Sequence, residues 1–83
     1  MNDQSSTDEL RVLRVVVEFF RREGRGYYPN VGDIAQATGR SNEEVARLIT
    51  SLEAQNLITA HHLKPGRYMI TGVTPEGLES VNS

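Results

Sequence analysis

The stretch VGDIAQATGRSNEEVARLI, from Val31 to Ile49, has the spacing of a helix, a sharp turn and a second helix. Ala35 must be small because the two helices cross closely there. Gly39 supplies the backbone freedom that the turn requires. Ile34, Val45 and Leu48 fill the space between the helices. Asn30 is placed to cap the first helix, with Asp33 three residues on, and Ser41 to cap the second, with Glu44 completing a capping box. The first helix is expected over Val31–Thr38 and the second from Ser41 to about Gln55. Val45, Leu48, Ile49 and Leu52 recur at helical spacing, which buries one face. Arg40 departs from the pattern, since an apolar residue usually follows the turn glycine.

What flanks this stretch completes the architecture. Upstream, SSTDELRVLRVVVEFFRREG reads as a helix, with Ser6 and Glu9 as a capping box and Gly24 or Gly26 as the left-handed stop. Residues 1–5 have no apolar anchor and are expected to form a disordered tail, leaving residues 6–83 as the domain. On a helical wheel Arg11, Arg14, Glu18, Arg21 and Arg22 share one side. Leu10, Val12, Leu13, Val15, Val16, Val17, Phe19 and Phe20 cover more than half of the circumference. A single core contact needs a stripe only a little over ~100° wide. The excess calls for cover by the C-terminal helix, through Leu78 and Val81, or by a homodimer seam. In the connector GRGYYPNVGD, Pro29 disfavours helix for Tyr28. Tyr27 and Tyr28 either pack there or touch a nucleic-acid backbone.

Downstream, LITAHH and RYMIT are strand candidates separated by LKPG, in which Pro65 and Gly66 favour a hairpin turn. TPEGLESV then offers Thr74 as cap and Pro75 at the first helical position. The fold class expected is α+β, mainly α: a three-helix core followed by a C-terminal β-hairpin and a short final helix.

Composition limits the function. With 83 residues the chain makes one small domain, and at this size it buries only roughly 60–65% of its unfolded surface. It has no cysteine, hence no disulfide and no thiolate metal site. No apolar run approaches the ~18 residues of a membrane span, and the acidic, polar MNDQSSTDE is the reverse of a secretory signal. A cytoplasmic location is expected. The net charge of -2 hides local basic segments, among them Lys64 and Arg67, with no acid between residues 57 and 72. A protein held to phosphates by charge alone would be more basic. His61 and His62 are adjacent, so along a strand they point to opposite faces and do not chelate together. No metal site, no cofactor and no catalytic constellation is expected, and the chain is not read as an enzyme.

With these elements in place, the chain resembles the winged helix-turn-helix DNA-binding domains. FFRREGRGYYPNVGDIAQATGRSNEEVARLITSLEAQNLI looks most like the N-terminal domain of LexA-type repressors, and ITGVTPEGLE is similar to the last wing strand and final-helix start of MarR-like regulators. The resemblance covers roughly residues 8–81. It implies a small prokaryotic or phage transcriptional regulator that binds double-stranded DNA, as a homodimer on a two-fold site. In such proteins the helix corresponding to 41–55 lies in the major groove and the wing, 57–72, touches backbone or minor groove.

The exposed face expected on that helix includes Asn42, Glu43, Ala46, Arg47 and Thr50. The fork of Arg47 suits guanine O6 and N7. Asn42 suits adenine or a phosphate, and Glu43 suits cytosine N4 or else a surface pair with Arg47 four residues on. Lys64 and Arg67 suit phosphates or the minor groove, or else a solvated turn. Arg40 and Ser41, at the turn, complete the expected set. The competing reading is a winged helix used as a protein-interaction module without DNA binding.

Overall fold

Helix boundaries in this chain are set by side chains that cap their own backbone. The computed structural model describes residues 3–24, 26–64 and 67–82, with side chains from Asp8 to Val81 within those ranges. Helix α2 (Val31–Thr38) begins at Asn30, whose Oδ1 accepts from the Asp33 amide at 2.8 Å, while Asp33 Oδ2 accepts from the Asn30 amide at 3.1 Å. Gly39 ends it at φ 72° and donates its N–H to the Ala35 carbonyl. Helix α3 (Asn42–Ala54) begins at Ser41, whose hydroxyl accepts from the Glu44 amide at 3.1 Å. The expected box there is only half made, because the Glu44 carboxylate turns to Arg40. Helix α4 (Pro75–Asn82) begins as expected at Thr74, whose Oγ1 accepts from the Gly77 amide at 3.0 Å.

Helix α1 spans Asp3–Glu23. Ser6 therefore lies inside the helix and not at its start. Glu9 does not close a local box; its carboxylate accepts from the Ser51 hydroxyl and from Gln55, both at the far end of α3. The expected tail overlaps α1 at Asp3–Ser5, and Met1 and Asn2 lie outside the described residues.

Strands β1 (Ile58–Lys64) and β2 (Arg67–Val73) pair antiparallel from Ile58↔Val73 to Lys64↔Arg67, with register shifts between Thr59 and Ala60 and between His62 and Lys64. Both strands run longer than their sequence patterns suggested. The turn residues Pro65 and Gly66 lie outside the described residues. The α1–α2 connector joins the hairpin from the other side: Asn30 bridges Met69, and the Ile70 amide donates to the Pro29 carbonyl at 2.8 Å. Pro29 has no N–H to contribute, yet its carbonyl serves the strand and its ring is buried.

The core joins Val12, Leu13 and Val16 of α1 to Ile34 of α2, to Val45, Ile49 and Leu52 of α3, and to Ile58 and Ile70 of the hairpin. Among the described residues no polar or charged side chain is buried. Three helices with a following hairpin make this a winged helix-turn-helix fold. The wide apolar arc of α1 is covered from several sides. Leu10, Val15 and Phe20 pack at the core margin together with Val81 of α4. Leu78, expected with Val81 against this arc, stays 41% exposed. Phe19 turns aside to Tyr27, edge-to-face with ring centroids 5.2 Å apart, under the Arg22 guanidinium.

Candidate nucleic-acid interface

Because Val45, Ala46, Ile49 and Leu52 are buried, the opposite side of α3 is left to solvent. Ser41, Asn42, Glu43, Arg47 and Thr50 are all exposed there. Ala46 was expected among them and instead sits against the core at 8% exposure. Ser41, Glu43 and Arg47 nonetheless line one shallow recess with it. The Thr50 hydroxyl donates to the Ala46 carbonyl at 2.9 Å, so part of its bonding capacity is already used. The alternative Glu43–Arg47 pair does not form: among the described residues neither side chain enters an ion pair.

A second recess, a cleft of about 390 Å³, lies where the wing meets the helix-turn-helix. Asn30 and Gly32 at the start of α2, Asn42 at the start of α3, and Leu63, Lys64, Arg67 and Tyr68 of the hairpin line it. The two hairpin cations and the first residue of α3 thus share one concave surface. The two recesses share no residue but are neighbours along the chain, since Asn42 of the cleft lies between Ser41 and Glu43 of the other. Asn30, Leu63 and Tyr68 were not foreseen here. Tyr68 could have been found from strand alternation, since it stands across from His62. The contribution of Asn30 depends on how the wing folds back, which no local pattern encodes.

The acids around α3 are mostly occupied. Asp33 is held in its capping box. Glu53 Oε1 accepts from His62 Nε2 at 2.8 Å, while the His62 ring packs against Tyr68. Glu44 pairs with Arg40 at 2.5 Å. Arg40 also reaches Asp8 of α1 at 2.7 Å, and its side chain is only 18% exposed. Burial works to lower the Arg40 pKa, but Asp8 and Glu44 outweigh it and hold the guanidinium above its ordinary value. Arg40, expected as a DNA contact, is therefore committed to two carboxylates. Glu43 remains as the acid of α3 that faces solvent without an ion pair among the described residues. Arg47, Lys64 and Arg67 are exposed and likewise without ion pairs.

Elsewhere an apolar groove of about 520 Å³ runs between the end of α1, the connector and the base of the wing. Val17, Phe20, Tyr28, Val73 and Leu78 line it, with Arg21 at its edge. It shares no residue with the two recesses around α3. Among the described residues no group of three or more His, Cys, Asp or Glu is placed to hold a metal, and no helix is long and apolar enough to cross a membrane.

No family model and no curated protein sequence matches the chain. Two solved structures share its fold. One is MepR, a transcription regulator of the Staphylococcus aureus multidrug efflux pump MepA, with a TM-score of 0.68 and 24% identity over 89% of this chain and 50% of that one. The other is the S. aureus MepR–DNA complex, with a TM-score of 0.67 and 23% identity over 93% of this chain and 52% of that one. This chain spans about half the length of the MepR chains it matches. At such identity the likeness bears on the fold. Both structures are of MepR and not of a LexA-type repressor, so the part of the sequence resemblance that stands is the winged helix.

Proposed function

We propose that this chain binds double-stranded DNA in a sequence-specific manner, as a transcriptional regulator in the cytoplasm. Helix α3 enters the major groove and reads bases through Arg47, with Asn42 and Glu43 alongside. The wing holds the phosphate backbone or the adjacent minor groove through Lys64 and Arg67. The observation that carries this reading is the shared cleft: Asn42, Lys64 and Arg67 line one concavity, and the chain neighbours of Asn42, Ser41 and Glu43, line the recess of Arg47. Cations projecting from a groove-sized helix and from a hairpin beside it suit a polyanion with a groove. With Asp33 in its capping box and Glu44 and Glu53 paired, Glu43 is the acid of α3 left without an ion pair beside these cations among the described residues. The occurrence of the same fold in a MepR–DNA complex supports the reading.

The protein acts by binding and needs no cofactor or catalytic group. It works as a homodimer on a two-fold site, and the apolar groove beside Leu78 supports an assembly role. That same groove favours the second reading, a protein-interaction module, since exposed Leu78 and Tyr28 are the kind of side chains that partners cover.

Selection of bound duplexes from a random pool, followed by gel-shift titration at several salt concentrations, tests the proposal. A selected consensus bound with a steep salt dependence is the expected result. Absence of salt-dependent binding to any sequence would transfer the function to the protein-interaction reading.

A further inference from the structure

We infer that Arg40 is a positioning residue, which fixes the orientation of α3 against α1 without itself touching DNA; this rests on α3 being the reading helix. The guanidinium of Arg40 spans two elements. Its Nη2 donates to Asp8 Oδ1 on α1 at 2.7 Å, and its Nη1 donates to Glu44 Oε2 in the first turn of α3 at 2.5 Å. A DNA phosphate would have to displace two carboxylates from a side chain with 18% of its surface exposed.

The core of the α1–α3 contact is apolar, through side chains such as Leu13 and Ile49. Apolar burial is non-directional, so it sets how close two helices lie better than how one is rotated on the other. Charge-assisted hydrogen bonds have fixed geometry. The residue next to Asp8 makes a second tie. Glu9 accepts from Ser51 and Gln55 at the other end of α3. Two adjacent carboxylates of α1 therefore fasten α3 before its first turn and at its last, and two points define a direction. Asp8 and Glu44 are 41% and 38% exposed. Pairs so exposed contribute little to stability, which leaves orientation as the property they govern.

The test compares the full chain with Asp8→Asn, Arg40→Ala and Arg40→Lys. Affinity is measured for the selected site and for random duplex across several salt concentrations, together with amide hydrogen exchange at Val45 and Ala46. The expected result is that Asp8→Asn and Arg40→Ala each lower the preference for the selected site about tenfold, as misplacing one base contact of α3 would. Binding to random duplex and the salt slope stay unchanged, and exchange in the first turn of α3 becomes faster. Arg40→Lys keeps the charge and recovers part of the preference.

The opposite pattern would overturn the inference. If Arg40 held a phosphate, Arg40→Ala would weaken both duplexes alike and lower the salt slope by about one unit. Asp8→Asn would then tighten binding by releasing the guanidinium. Should the wild-type chain bind no DNA, the proposed function fails separately. Amide exchange then decides the tie alone: faster exchange in both variants upholds it, and unchanged exchange removes it.

Discussion

Gly77 lies so close to Leu57 that a Cβ built on it would stand 2.1 Å from the Leu57 carbonyl oxygen. The same atom would meet Val73 Cγ1 at 2.7 Å. That carbonyl also accepts from the Thr74 amide at 3.0 Å, so it cannot retreat without loss. The first turn of α4 is pressed against the segment that leads from α3 into the wing, and only a residue without a side chain permits it.

Gly77→Ala should therefore destabilise the chain, although alanine is the better helix former. Backbone cannot yield as a flexible side chain would, so the expected cost is about 1–3 kcal/mol. Urea denaturation measures it. A stabilised variant would show that α4 does not pack as described.

Arg47 and Lys64 should fail in different ways. Arg47→Ala is expected to lose about 1–3 kcal/mol on the selected site and far less on random duplex, because a base contact is lost. Lys64→Ala should weaken both alike and reduce the salt slope by about one unit. Gel-shift titrations at several salt concentrations separate the two.

Two apolar substitutions grade the core. Ile49 is fully buried, so Ile49→Ala should cost about 2–5 kcal/mol. Phe19 packs at the margin on Tyr27 and beneath Arg22, so Phe19→Ala should cost only about 1–2 kcal/mol, less than the roughly 3–5 of a buried phenylalanine. Thermal or urea unfolding of the pair checks the order.

Asn30 caps α2 through both halves of its box. Asn30→Ala should cost about 0.5–2 kcal/mol, and Asn30→Asp much less, since aspartate accepts the same amide. Chemical denaturation of the two variants side by side is the measurement.

Assembly has its own signature. Sedimentation at micromolar protein should show a species near twice the 9.3 kDa of one chain. Leu78→Asp, which places a charge at the apolar groove, should return it to monomer. A monomeric wild type at high concentration would replace the two-fold site with a single one.

Local chemistry made much of this structure legible. Asn30, Gly39, Ser41 and Thr74 each act on backbone within a few residues, and the boundaries of α2, α3 and α4 follow from them. The exposed face of α3, Ala46 apart, was legible because Val45, Ile49 and Leu52 fix which side is buried. The misread residues are those whose partners lie far along the chain. Glu9 was given to Ser6 but bonds Ser51, and Glu44 was given to the Ser41 cap but bonds Arg40, itself drawn to Asp8. Helical spacing likewise marked Leu78 as apolar-facing, but not how much of it α1 would cover.

One of the two register shifts in the hairpin bears on solubility. Among the described residues β1 pairs only with β2, so its outer edge is open. An open edge with an unbroken row of donors and acceptors invites a second copy to add as a further strand. The shift between His62 and Lys64, which leaves Leu63 as an extra residue on β1, interrupts that row, and Lys64 sets a charge at its end. An edge interrupted in this way is a poor template for fibrous aggregation.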